Sequence, residues 1–282
     1  MTEKRKFYGM RNDYMFHAVL QKNEEVLRNL LATLLEMDEA DIASCHIENP
    51  IELGKEIEGK ECILDVKLTL NNAKIINIEL QVYKQTYWVE RSLLYWARAF
   101  DSLKSGEDYS KLLPTYHIGI LDFTLFEEHP KFMGKYQLMD VEDQFLYSDK
   151  LCIKVLDLTQ LDAARKQSNV NKKLLKWASI FKAETLEELE RLANGEEGFE
   201  KMVVTMKQLS EDEKIRMQCE AREDYERCLL SEFNAGKREG EEIGEQRGRI
   251  AGKAETLTEL INNLMETQHI SEEEAKKMLK IQ

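Results

Sequence analysis

The sequence predicts an α/β fold with an all-helical C-terminal region, and three patterns carry that prediction. Residues 12–21 (NDYMFHAVLQ) and 24–36 (EEVLRNLLATLLE) place apolar side chains at helical spacing. Residues 61–84 (ECILDVKLTLNNAKIINIELQVYK) alternate with a period of two, and the apolar run PTYHIGILDF follows after a further helical stretch. Beyond Leu158 only helical periodicity remains, and the last of the three prolines is Pro130. Taken in order, Asn12 or Asp13 and Asn23 suit the N-caps of the first two helices. A long helix is expected from about residue 86 to 104, and a further strand at KLCIKVLDL. The expected organisation is an α/β domain over 1–165, a helical region over 166–235 and a glycine-spaced charged tail over 236–282.

An apolar fraction of 43% in 282 residues is enough for a sizeable core. The charged start MTEKRKFYGM has no apolar stretch of the kind an export signal needs, and no apolar run approaches a membrane span, so a cytoplasmic chain without a membrane partner is expected. Five scattered cysteines without a CxxC pair argue against a disulfide framework or a thiolate metal site. The net charge of −13 opposes contact with nucleic acid unless basic residues gather locally. Residues 51–100 are the one block of fifty that is balanced, with seven Lys and Arg against seven Asp and Glu.

That block contains the alternating stretch. Leu64, Val66, Leu68 and Leu70 share one face of its first strand, and Ile63, Asp65, Lys67 and Thr69 the other. In the second strand Ile76, Ile78, Leu80 and Val82 oppose Ile75, Asn77, Glu79, Gln81 and Tyr83. A three-residue loop over Asn71 to Ala73 sets Asp65 opposite Glu79, with Cβ atoms roughly 4.5–5.5 Å apart. Like charges so placed destabilise the pair unless a cation lies between them, and two hard carboxylates suit Mg²⁺ or Mn²⁺. The competing reading is a solvated sheet face on which the acids pair with Lys67 and Lys74, and a different register separates the acids altogether.

The order Asp65, a short spacer, Glu79-Leu80-Gln81, then ERSLLYWARAF and SGEDYSKLLPTYHIGIL, resembles the PD-(D/E)XK nuclease superfamily. More narrowly it resembles its bacterial branch of recombination-promoting nucleases and transposase-like proteins. The resemblance runs from NDYMF through HIGILDF and on to the glycine-spaced tail. It implies a restriction-endonuclease-like α/β core, hydrolysis of DNA phosphodiesters and a divalent metal, Mg or Mn, at Asp65 and Glu79, with the Leu80 carbonyl as a further ligand. Gln81 then stands where the wider superfamily has lysine; it can hydrogen-bond but supplies no charge. The alternative function is a catalytically silent DNA-binding or protein-interaction module that retains the fold.

Around this centre, Trp88, Arg91, Tyr95 and Arg98 form one stripe on the expected long helix. Arg91 and Tyr95 are candidates for DNA contact or support, and Arg98 reads as a solvent residue. Lys67 is a candidate substitute for the missing lysine, with a surface lysine as the plain alternative. Asp13 is a candidate at the metal, although an N-cap explains it equally well. His117 reads as a sheet histidine, since the five histidines show no ligand spacing.

In the tail, glycines fall at 236, 240, 244, 248 and 252. Five interior glycines cost a helix about 4–5 kcal/mol relative to alanine. A period of four drifts about 40° per step, so no straight partner follows that stripe. The expectation is a partly frayed charged helix leading to TLTELINNLME and SEEEAKKMLK, through which the chain has the option of forming a homo-oligomer.

Overall fold

The computed structural model describes residues 6–51, 53 and 65–280. Ile63 and Leu64, assigned above to the first strand of the hairpin, lie outside the described residues.

Two helices open the chain, α1 (Asp13–Lys22) and α2 (Glu24–Leu35). Asn12 and Asn23 cap them, each side chain accepting the backbone N–H three residues on. A short strand, β1 (Cys45–Ile47), precedes the hairpin β2 (Val66–Leu70) and β3 (Lys74–Gln81). Then come α3 (Trp88–Phe100), β4 (Thr115–Leu121), β5 (Met133–Met139), β6 (Leu146–Asp157), α4 (Leu161–Ala164), α5 (Lys172–Lys182), α6 (Leu186–Ala193), α7 (Glu197–Glu211), α8 (Glu213–Gln268) and α9 (Glu272–Met278). The six strands form one mixed sheet in the order β1-β2-β3-β4-β6-β5, parallel where β4 lies between β3 and β6. This is the mixed sheet flanked by helices, with a long helical C-terminal region, that the sequence predicts.

The hairpin turn is made by Asn71 and Asn72, both at φ 51°, a left-handed conformation that asparagine tolerates because its short side chain bonds nearby backbone. Ala73 N–H closes the turn onto the Leu70 carbonyl. The three-residue loop fixes the register, which pairs Val66 with Ile78 and Lys67 with Asn77. The even-numbered residues Val66, Leu68, Leu70, Ile76, Ile78, Leu80, Ile118, Ile120 and Leu156 enter the main core together with apolar side chains of α1, α2, α5 and α7. The odd-numbered face lies under α3, where Trp88 packs with Leu121, Phe123, Ile153 and Val155 in a second, smaller cluster.

Gly119 makes that close packing of α3 possible. A Cβ placed there would lie 2.8 Å from Cη2 of Trp88 and closer still to Cζ2, and Trp88 is fully buried. Gly119→Ala should therefore lower stability by about 1–3 kcal/mol through overpacking, read as a fall in melting temperature. An unchanged melt would mean that α3 has room to lift off β4.

Trp177, Phe181, Phe199, Met202 and Met206 join the same core as the sheet, so the compact unit runs from Met1 to Asp224 and includes most of the helical region assigned to 166–235. The remainder, Tyr225–Gln282, is a separate unit, and the boundary expected at 235/236 falls inside α8. In the tail, α8 is continuous for 56 residues and passes through all five spaced glycines. Proline is absent there, so no backbone donor is lost, and i,i+4 ion pairs such as Glu245–Arg249 at 2.7 Å support its surface. Among the described residues no helix is long and apolar enough to cross a membrane.

Candidate active site

The odd face of the hairpin brings the acids together. Asp65 is the residue before β2, and continuing the β2–β3 register by one step sets it opposite Glu79. Glu79 is buried at 1% exposure. Its Oε1 lies 2.6 Å from Nη2 of Arg91 on α3, and its Oε2 lies 3.4 Å from Nε2 of the fully buried His117 on β4. Neither oxygen accepts a well-aligned hydrogen bond among the described residues. Asn77, two residues before Glu79 on the same face, hydrogen-bonds Asp65 and also stands 3.2 Å from Nδ1 of His117. Asp65, Asn77, His117, Glu79 and Arg91 thus form one connected polar chain in the layer between the sheet and α3.

The electrostatics follow from that geometry. Burial first and the Glu79 charge second push the Asp65 carboxyl up to about 8, against the lowering effects of Arg91 and the Asn77 hydrogen bond. Arg91 is held by Glu79, by Gln85 Oε1 at 2.6 Å and by the Tyr95 ring, whose centroid is 5.1 Å from its guanidinium carbon. Tyr95 in turn meets the edge of His117, with ring centroids 6.3 Å apart.

The other named residues stand at varying distances from this centre. Gln81 ends β3 on the same face, and its amide Nε2 donates to the Tyr83 carbonyl at 3.2 Å. Lys67 also lies on that face, but its ammonium pairs with Glu48 at 3.0 Å, because the segment after β1 runs alongside β2. Asp13 opens α1 without being its cap; Arg222 of α8 approaches both its oxygens, with Nη2 2.5 Å from Oδ2, and its charge still contributes to raising Asp65. At the C-terminal end of β3, Asp122 N–H donates to the Gln81 carbonyl, and the Asp122 carboxylate pairs with Arg11.

Asn77, His117, Gln85 and Arg222 were not picked out from the sequence as parts of this site. Face parity alone would have found Asn77. His117 needs the β3–β4 register, which sets it beside Asn77, and Arg222 lies 209 residues from its partner Asp13.

Among the described residues no three acidic, histidine or cysteine side chains converge as a metal-binding group. The pair Asp65 and Glu79 nonetheless fits a hard divalent cation. It offers carboxylate oxygens only, Glu79 keeps two buried oxygens without aligned donors, and burial together with repulsion from Glu79 raises Asp65. Mg²⁺ is commonly held by one or two carboxylates, with water and substrate phosphate completing the shell.

No curated protein and no solved structure matches the chain. A family model does, over residues 10–234, a span that covers the whole sheet, the polar chain beneath α3 and Arg222. The chain belongs to the PD-(D/E)XK nuclease family transposases.

Proposed function

We propose that this protein is a metal-dependent DNA endonuclease that hydrolyses phosphodiester bonds at Asp65, Glu79 and Gln81 and so promotes recombination or transposition. The observation that carries the reading is the register that sets Asp65 against the buried, poorly satisfied carboxylate of Glu79. Asp65 and Glu79 would hold Mg²⁺ or Mn²⁺. Bound there, such a cation supplies Lewis acidity toward a phosphoryl oxygen and acidifies a water. The chain's own groups do the remainder: Gln81, at the open end of β3, orients the attacking water by hydrogen bonding, and Arg91 neutralises charge at the edge of the site. Asp13 tunes Asp65 through its charge, with Arg222 compensating it, and Lys67 supports the hairpin through Glu48. Localisation in the cytoplasm, as expected from the sequence, belongs to this reading.

The test is nicking and linearisation of a supercoiled plasmid with Mg²⁺, with Mn²⁺ and with chelator. Gln81→Ala should slow cleavage about 10²–10³-fold, by analogy with loss of a single transition-state donor, and leave metal affinity nearly unchanged. Gln81→Lys should retain or raise the rate by adding charge near the phosphate. Full activity of Gln81→Ala would remove Gln81 from the mechanism. One observation favours a silent module instead: Arg91 already places a cation on Glu79. That reading predicts salt-sensitive DNA binding without cleavage under any metal.

A further inference from the structure

The unit Tyr225–Gln282 exposes large apolar side chains in a regular order. Along α8, Leu229, Ile243, Ile250 and Leu257 fall on one strict seven-residue period, whose remaining place is Gly236, and all four are exposed, Ile250 at 69%. Phe233, Gly240, Arg247 and Ala254 lie four residues after 229, 236, 243 and 250. Together these positions alternate four and three apart over about four heptads, the seam of a two-stranded coiled coil. Phe233 is 61% exposed, while farther along Ile261 and Ala275 are buried, so the open part of the seam ends near Leu257. The glycine series coincides with the seam only at 236 and 240. At 244 it flanks the seam, and at 248 and 252 it reaches the outer face, which is why the glycines themselves do not mark the contact.

We propose that residues 229–257 of α8 dock antiparallel on the same segment of a second copy of this chain. A period of seven selects a partner helix with the same period, and this chain carries one. The direction follows from size and charge. Parallel chains would set Gly236 and Gly240 against themselves, leaving gaps, and Arg247 against Arg247 of the other copy. The antiparallel register that sets Gly240 against Ile250 also sets Phe233 against Leu257, Gly236 against Ala254 and Ile243 against Arg247. It brings Glu239 and Lys253, which flank the seam, to the same edge with opposite charge. The Arg247 stem then covers Ile243 while its guanidinium reaches water.

Light scattering on the full chain should give twice the single-chain mass. Ile243→Glu with Ile250→Glu should return it to one chain at unchanged helical circular dichroism, since both residues are exposed and folding does not depend on them. Gly248→Ala with Gly252→Ala, on the outer face, should remain dimeric and melt at a higher temperature. In a Cys228→Ser background, Gly240→Cys and Ile250→Cys chains should form a disulfide with each other on mixing and only weakly with themselves. A single-chain mass for the wild type, or a dimer that survives both glutamates, would overturn the interface. Efficient self-linking of each cysteine variant would overturn the antiparallel direction.

Discussion

Asp65→Ala should abolish metal-dependent plasmid cleavage, by at least about 10²-fold on the scale of single electrostatic groups in active sites, while the protein stays folded. The substitution removes one of the two carboxylates and half of the charge that attracts a cation. It should also raise stability in chelator. Asp65 has its folded-state value pushed up to about 8, above the ordinary value of about 3.9. A raised carboxyl favours the folded state most when protonated, so that contribution is complete below about pH 4 and is lost as pH rises toward 8. Asp65→Asn, which keeps the shape without the charge, should therefore melt a few degrees above wild type at pH 8 and match it near pH 4. A variant that cleaves at the wild-type rate would place the activity elsewhere or in a contaminant. A pH-independent stability difference would mean that neither burial nor Glu79 raises the Asp65 carboxyl in the folded chain.

The hairpin was legible because its information is local. Asn71 and Asn72 allow a tight three-residue turn, alternation assigns each side chain a face, and the two together determine which residues oppose one another. The first two helices were legible for the same reason, through asparagine caps and apolar spacing. β5 was not, because Met133–Met139 is an edge strand whose exposure follows no strict alternation. The surroundings of Glu79 were only partly legible: Arg91 lies twelve residues away on a stripe the sequence shows, but His117 reaches Glu79 through the parallel pairing of β3 with β4, which no local pattern encodes. Lys67 illustrates the converse, since its position on the right face was readable and its partner Glu48, supplied by the segment after β1, was not. The helices beyond residue 165 were recognised as helices, yet their membership of the sheet's own core depends on long-range packing of Trp177, Phe181 and Phe199.

Arg91→Ala should destabilise the metal-free protein by about 3–5 kcal/mol, the range found when one partner of a buried ion pair is removed. Glu79 is 1% exposed, and Arg91 is the guanidinium that touches it, so the variant leaves a buried carboxylate without its nearest positive charge. On this chain length that corresponds to a fall of roughly 10 °C in melting temperature. Glu79→Gln in the same chain should recover most of the loss, because the charge that needed compensation has gone; the shortfall of the double variant from additivity measures the pair. The informative arm is divalent metal. If Mg²⁺ binds between Asp65 and Glu79, it replaces the charge Arg91 supplied, and the gap between Arg91→Ala and wild type should narrow markedly on going from chelator to millimolar Mg²⁺. An equal gap in chelator and in Mg²⁺ would separate the two cations, leaving Arg91 as the permanent partner of Glu79 and the carboxylate pair as part of a folded but silent module.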